Sequence, residues 1–162
     1  MLDDTEFVEL VPVRLERAWK FLAGEERDFV KVQGHNEVLR YAAFSYFIPV
    51  ESYADNKFGG VAVLVERDDA HQVAGHMFGL MPTELQESDL QDACAEVCNI
   101  FADTLILYLS GTDDINMGLP VMATEQQYQY IVTHFIDSTI YASQRDSRTL
   151  FVGVYYGTRP QR

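Results

Sequence analysis

Cysteine is scarce: 162 residues contain two, Cys94 and Cys98, one helical turn apart. An i,i+4 pair on a helix has poor geometry for a disulfide, and a C-x-x-x-C without companions is a weak metal site. Both are expected as small core residues in a reducing compartment. Basic residues are also few, 12 Lys and Arg against 25 Asp and Glu, giving a net charge of −13. A chain this acidic repels nucleic acid and anionic membranes, so neither is an expected partner; neutral or basic surfaces are. No run of about 18 uncharged apolar residues occurs, which excludes an ordinary transmembrane helix. The start, Met1-Leu-Asp-Asp-Thr-Glu6, has neither a basic segment nor an apolar run. No secretory signal is therefore expected, and the protein reads as soluble and cytoplasmic. His35, His71, His76 and His134 are scattered, so no histidine-based metal site is expected. Neither G-x-x-x-x-G-K-[ST], G-x-G-x-x-G nor G-x-S-x-G occurs, and neither cysteine has a nearby histidine. That leaves no sign of a nucleotide cofactor or of a Ser–His–Asp or Cys–His nucleophile.

What remains is a chain of one-domain length with 48% hydrophobic residues to fill a core. The expected division is a single domain over residues 1–162, with residues 1–30 as an extension bearing a helix. Asp89–Ser110 is its longest helix-compatible run, free of Pro and Gly until Gly111. Ser88 or Asp89 can cap its start and Gly111 can end it. At 3.6 residues per turn, Asp92, Glu96, Asn99 and Asp103 form one narrow stripe. Nearly everything else is apolar or small, so the helix is expected to be buried on most sides. The stripe holds three acids and one amide, with no Lys or Arg.

Pro12 is expected to open a short helix over Val13–Ala23, with Leu15, Trp19 and Leu22 on its core side. Strands are expected at Asp28–Gln33, Val38–Val50 and Val61–Val65, the last apolar throughout and hence central. Asp55–Gly60 reads as the hairpin connection between the last two. Asp68 or Asp69 is expected to cap a helix ending near Gly79, with a loop at Met81–Glu84. After the long helix come the turn-rich Gly111–Gly118, then Leu119–Ala123. A strand is expected over Gln127–Ala142, and another over Thr149–Tyr156, joined by Gln144–Arg148. The fold class is therefore α+β: a mostly antiparallel sheet of two similar halves, packed by two long helices. The long edge expected over Tyr128–Ala142 offers a surface for strand pairing across a homodimer axis.

Glu96 and Asn99 are oddly chosen for a pocket enzyme, because they protrude from a helix instead of lining a cleft. They suit a protein that inserts its groups into another protein's site. A carboxamide both donates and accepts, so it can orient a water. A carboxylate can engage a partner's Lys. The ordered set Asp92-x3-Glu96-x2-Asn99, followed after 20 intervening residues by Pro120, resembles the signature of the CheC, CheX and FliY phosphatases of bacterial chemotaxis. The resemblance spans residues 36–157. It implies a CheC/CheX-like fold and dephosphorylation of the aspartyl phosphate of a CheY-like receiver domain. It also implies that Asn99 positions the attacking water and Glu96 pairs with the receiver's active-site Lys. Asp92 and Pro120 would be supporting residues. The Mg²⁺ would belong to the receiver, so no cofactor of its own is expected.

Two departures shape the expectation. The Asn99–Pro120 spacer is slightly shorter than the family's. Neither Val13–Ala23 nor Asp69–Gly79 holds a Glu-x-x-Asn, so one site is expected, as in the CheX type. The acidity gives weak steering toward an acidic receiver, so binding must rest on apolar contacts beside the stripe. The alternatives are a catalytically silent binding or scaffold module of the same fold, and a small-molecule hydrolase with its own cleft, for which no residue set exists.

Overall fold

The structure is a computed structural model; it describes residues 4–32, 42–52, 57–109, 115–134 and 137–158. In chain order the elements are α1 (Asp4–Ala23), β1 (Val30–Lys31), β2 (Phe44–Ser52), β3 (Lys57–Val65), α2 (Arg67–Phe78), α3 (Glu87–Leu109), β4 (Ile115–Met117), β5 (Val121–Met122), α4 (Glu125–His134), β6 (Asp137–Arg145) and β7 (Arg148–Thr158). A 3₁₀ turn at Pro82–Glu84 lies where a loop is expected.

The strands form one sheet in the order β1-β6-β7-β3-β2-β4, with β5 also on β2, and every pairing is antiparallel. β3 is central, as its uniformly apolar sequence implies, but it starts at Lys57, so Gly59 and Gly60 are strand and not turn residues. Gly60 is needed there: a Cβ would lie 2.2 Å from the Phe47 ring and 2.8 Å from the Ile48 carbonyl. Alternation divides the sheet into two faces. Phe44, Tyr46, Ile48, Val50, Val61, Val63, Val65, Leu150, Val152 and Val154 pack with residues of α1, α2 and α3. Ala62, Leu64 and Tyr155 on the other face pack with Tyr128 of α4.

α1 is longer than expected. Pro12 lies inside it, although proline removes a helix hydrogen bond. The apolar stripe explains the continuity: Val11, Leu15, Trp19, Leu22 and Ala23 are all buried on one side of the proline and beyond it. α2 ends at Gly79 in the left-handed region (φ 65°), as expected. Its N-cap is Glu66, with no side-chain cap bond, so neither Asp68 nor Asp69 caps it.

Residues 125–134 correct the strand expected over Gln127–Ala142: they are α4, and the strand begins only at Asp137. A capping box decides it. The Gln127 N–H donates to Thr124 Oγ1 at 3.2 Å and the Thr124 N–H donates to Gln127 Oε1 at 2.9 Å. The edge expected over Tyr128–Ala142 is accordingly shortened: its first part is α4, and β6 pairs with β7 on one side and with β1 at Tyr141 and Ala142 on the other. Thr124→Ala is expected to lower stability by about 1 kcal/mol, read as a lower urea midpoint at unchanged slope.

A buried charge cluster ties the helical layer to the β6–β7 hairpin. Arg27 Nη1 donates to Asp69 Oδ1 at 2.6 Å, and Arg148 Nη1 reaches the same oxygen at 3.0 Å. Arg27 also donates to Ser143 Oγ at 2.8 Å and to the Ser143 carbonyl at 2.9 Å, while its guanidinium lies 5.3 Å from the Trp19 ring centroid. Glu25 accepts from Trp19 Nε1 and pairs with Arg148 and Arg145.

Candidate functional site

The sequence of α3 fixes which side meets the sheet. Leu90, Ala93, Cys94, Val97, Cys98, Phe101, Ala102 and Leu105 are buried, following the helical period. Cys98 Sγ reaches the Val61 carbonyl at 3.8 Å, and α3 lies over β2 and β3. The start of the helix is held twice. The Gln86 N–H donates to Asp89 Oδ2 at 2.9 Å, so Asp89 closes the first turn from within it. Arg67 grips Glu87 through two bonds of 2.8 and 3.0 Å. The groups on the outer side therefore stand on a rigid rod.

That outer side carries the expected stripe. Asp92, Glu96 and Asp103 are exposed, and Asn99 is half-buried. Glu96 and Asn99, three positions apart, are neighbours on the helix surface. Among the described residues, neither side chain makes a hydrogen bond or ion pair, so both are free for a group from outside. Half-buried Ala95 and Ile100 flank them. Asp92 lies near Tyr46 of β2, whose phenol is pushed up to about 12 by burial, with Cys94 and the Asp92 charge adding. Burial also pushes the Cys94 and Cys98 thiols far above their ordinary range. Both are inert core residues, as the sequence implies.

Pro120 lies on a different element from the stripe. It is half-buried in the connector between β4 and β5, which pair with β2 at Val50–Ser52 and at Tyr46–Phe47. Gly118 opens this connector by close approach: its N–H donates to the Pro49 carbonyl at 2.9 Å, and a Cβ would lie 2.7 Å from Pro49 Cγ. Leu119 and Val121, 81% and 56% exposed, make the border beside the proline apolar. Asp92, Glu96 and Asn99 are thus brought together on α3, and Pro120 sits between the two short strands that border β2.

No group of His, Cys, Asp and Glu among the described residues could hold a metal ion, and no helix among them is long and apolar enough to cross a membrane. Sequence reasoning missed the Arg27–Asp69–Arg148 cluster. Its members are far apart in sequence, and Asp69 has the local signature of a helix cap.

No family model and no curated protein matches the chain. Solved structures do. The chemotaxis protein CheX from Vibrio vulnificus is 20% identical, with a TM-score of 0.67 over 94% of this chain and 99% of that one. A chemotactic CheC-like protein from Shewanella oneidensis MR-1 is 18% identical, with a TM-score of 0.68 over 95% and 99%. The CheX–CheY–BeF3–Mg complex from Borrelia burgdorferi contains a chain 12% identical, with a TM-score of 0.68 over 96% and 99%. Across almost its whole length, the chain has the fold of these chemotaxis proteins.

Proposed function

We propose that this chain, built on the CheX fold, is a CheX-like phosphatase that accelerates hydrolysis of the aspartyl phosphate of a CheY-like receiver domain. The carrying observation is the Glu96–Asn99 pair. The two side chains are adjacent, accessible and unpartnered among the described residues, on a helix whose opposite side is locked to the sheet. The likeness to a CheX solved with CheY supports the choice of partner.

Phosphoryl transfer through a loose transition state asks for positioning and charge stabilisation more than for a nucleophile of the enzyme's own. Asn99 meets the first need: its carboxamide accepts from a water while donating to a phosphoryl oxygen, which sets the water in line. Glu96 anchors the geometry by pairing with the receiver's Lys. The receiver's own Mg²⁺ supplies the cation, so this chain needs no cofactor. A silent module would be favoured if either side chain were buried, and neither is.

The test is decay of the phosphorylated receiver in Mg²⁺ with and without the protein. Acceleration is expected; an unchanged rate sinks the reading. Glu96→Gln keeps the shape and loses the charge. It is expected to cost about tenfold in kcat/KM, corresponding to about 1.4 kcal/mol of a charge-assisted bond. Different receivers assayed in parallel identify the preferred partner.

A further inference from the structure

β4 and β5 follow β2 with one residue too many. Met117 stands opposite Val50 and Met122 opposite Tyr46, so five steps along the border span four along β2. An extra residue of this kind is a bulge, and it falls within Gly118–Leu119–Pro120. Without it Met117 and Met122 would point to opposite faces, because side chains alternate along a strand. With it both share the face of Val50 and Tyr46, which is the face under the helices. Met117 packs into that core, while Met122 is 39% exposed. Val121, opposite Phe47, belongs to the other face.

This border runs beside the stripe of α3. The Tyr46 phenol, pushed up first by burial, also feels the Asp92 charge. Cys98 Sγ meets the carbonyl of Val61, the residue opposite Ile48. α3 therefore travels along β2 in the same sense, with Asp92 near Tyr46 and Cys98 near Ile48. The helix rises about 10 Å from Asp92 to Asn99, and β2 advances about 13 Å from Tyr46 to Val50. Met122 and Met117 thus bracket the length of sheet over which Glu96 and Asn99 stand. The Tyr46 ring is buried, but its hydroxyl makes no hydrogen bond among the described residues and is not sealed from solvent.

We propose that Met122, Met117 and the Tyr46 hydroxyl form a second contact for the receiver, supplying affinity while Glu96 and Asn99 supply the chemistry. The proposal rests on the phosphatase reading. Charge does not hold the two proteins together: the stripe is acidic, the chain carries −13, and the receiver's phosphorylation site is itself acidic. Apolar surface next to the stripe has to do so, and this border is continuous with it. The residue types suit the task. Methionine adapts to an irregular partner surface, and a tyrosine joins an apolar ring to a hydrogen-bond donor; both are enriched at interfaces. The partner that fits is a receiver with an apolar residue beside its phosphorylation site, and a receiver with a charge there is rejected by desolvation.

The test is calorimetric titration with receivers held in the beryllofluoride–Mg²⁺ form, run beside steady-state dephosphorylation. Met122→Asp and Met122→Lys are both expected to weaken binding and raise KM about tenfold, with kcat little changed. Loss of an apolar contact is indifferent to the sign of the new charge, whereas a purely electrostatic effect would favour the lysine. Met122→Ala, which introduces no charge that could disturb β5, and Tyr46→Phe, which removes only the hydroxyl, are each expected to lose about threefold in affinity. Val121→Asp, one residue away on the other face, is expected to bind as the wild type does. Thermal melts confirm that each variant is folded. Wild-type affinity in Met122→Asp and Met122→Ala, a gain in Met122→Lys, or an equal loss in Val121→Asp overturns this contact and leaves the phosphatase reading standing. A wild type that binds a receiver without accelerating its dephosphorylation overturns the phosphatase reading alone, and the affinities of the Met122 variants then decide the contact. Failure to bind any receiver overturns both.

Discussion

Asn99→Ala is expected to abolish most of the acceleration of receiver dephosphorylation, on the order of 10²-fold, while leaving the fold and receiver binding in place. The physical reason is the division of labour along α3. Its buried side, from Leu90 to Leu105, holds the helix to the sheet; Asn99 is on the other side and bonds nothing among the described residues. Alanine also favours helix over asparagine by roughly 0.5 kcal/mol, so the melt should be unchanged or slightly higher. The expected pattern is therefore a collapse in kcat with little change in the concentration of receiver that half-saturates the protein. Asn99→Asp sharpens the test. It keeps the size and an acceptor but sets a negative charge against a phosphoryl group, so it should be no better than alanine. A fully active Asn99→Ala protein would remove Asn99 from the mechanism.

The second large effect concerns stability. Asp69→Ala is expected to destabilise the fold by about 3–5 kcal/mol, because it leaves the buried Arg27 guanidinium beside that of Arg148 with no countercharge between them. For a domain of this size that loss corresponds to a melting temperature lower by about 6–20 °C. It is a large part of the roughly 5–15 kcal/mol that holds a domain together. Burial pushes the Asp69 carboxyl up, while Arg27 and Arg148 pull it down. The cluster is therefore a balance of large opposing terms, and removing one member costs more than the intact pair is worth. Arg27→Met should cost less, since Asp69 keeps its contact with Arg148 and the methionine can lie against Trp19. Urea titrations of the two variants check both the size and the order. An Asp69→Ala protein as stable as the wild type would show that the guanidiniums find water when the carboxylate is gone.

Local signals served well where one physical cause dominated. α3 was legible because its apolar period runs without interruption over more than twenty positions. β3 was legible as a central strand because both its faces are apolar. The Glu96–Asn99 stripe followed from the same period. α4 was not legible from period alone: Tyr128, Tyr130 and Val132 alternate as in a strand, and Tyr128 is buried while Tyr130 is 62% exposed. The deciding signal, Thr124-x-x-Gln127, was present in the sequence but is short and easily outweighed by β-branched and aromatic residues. The start of α1 was hidden by Pro12, a common helix opener that here is carried within the helix by the core stripe. The charge cluster was invisible for another reason. Arg27 and Asp69 are 42 positions apart and Arg27 and Ser143 are 116 apart, and no local pattern encodes a meeting at that range.

The arrangement at the two borders of the sheet has a consequence for the chain in a crowded cell. On one side β2 is flanked by pieces of three and two residues, with Gly118, Leu119 and Pro120 between them. On the other, β6 is covered by a two-residue strand. Along the β2 border a foreign strand meets an interrupted ladder among the described residues, and the proline adds a position that cannot donate. Interruptions of this kind deprive amyloid-like stacking of its template, so a strand as apolar as β3 can be carried inside the sheet without seeding aggregation.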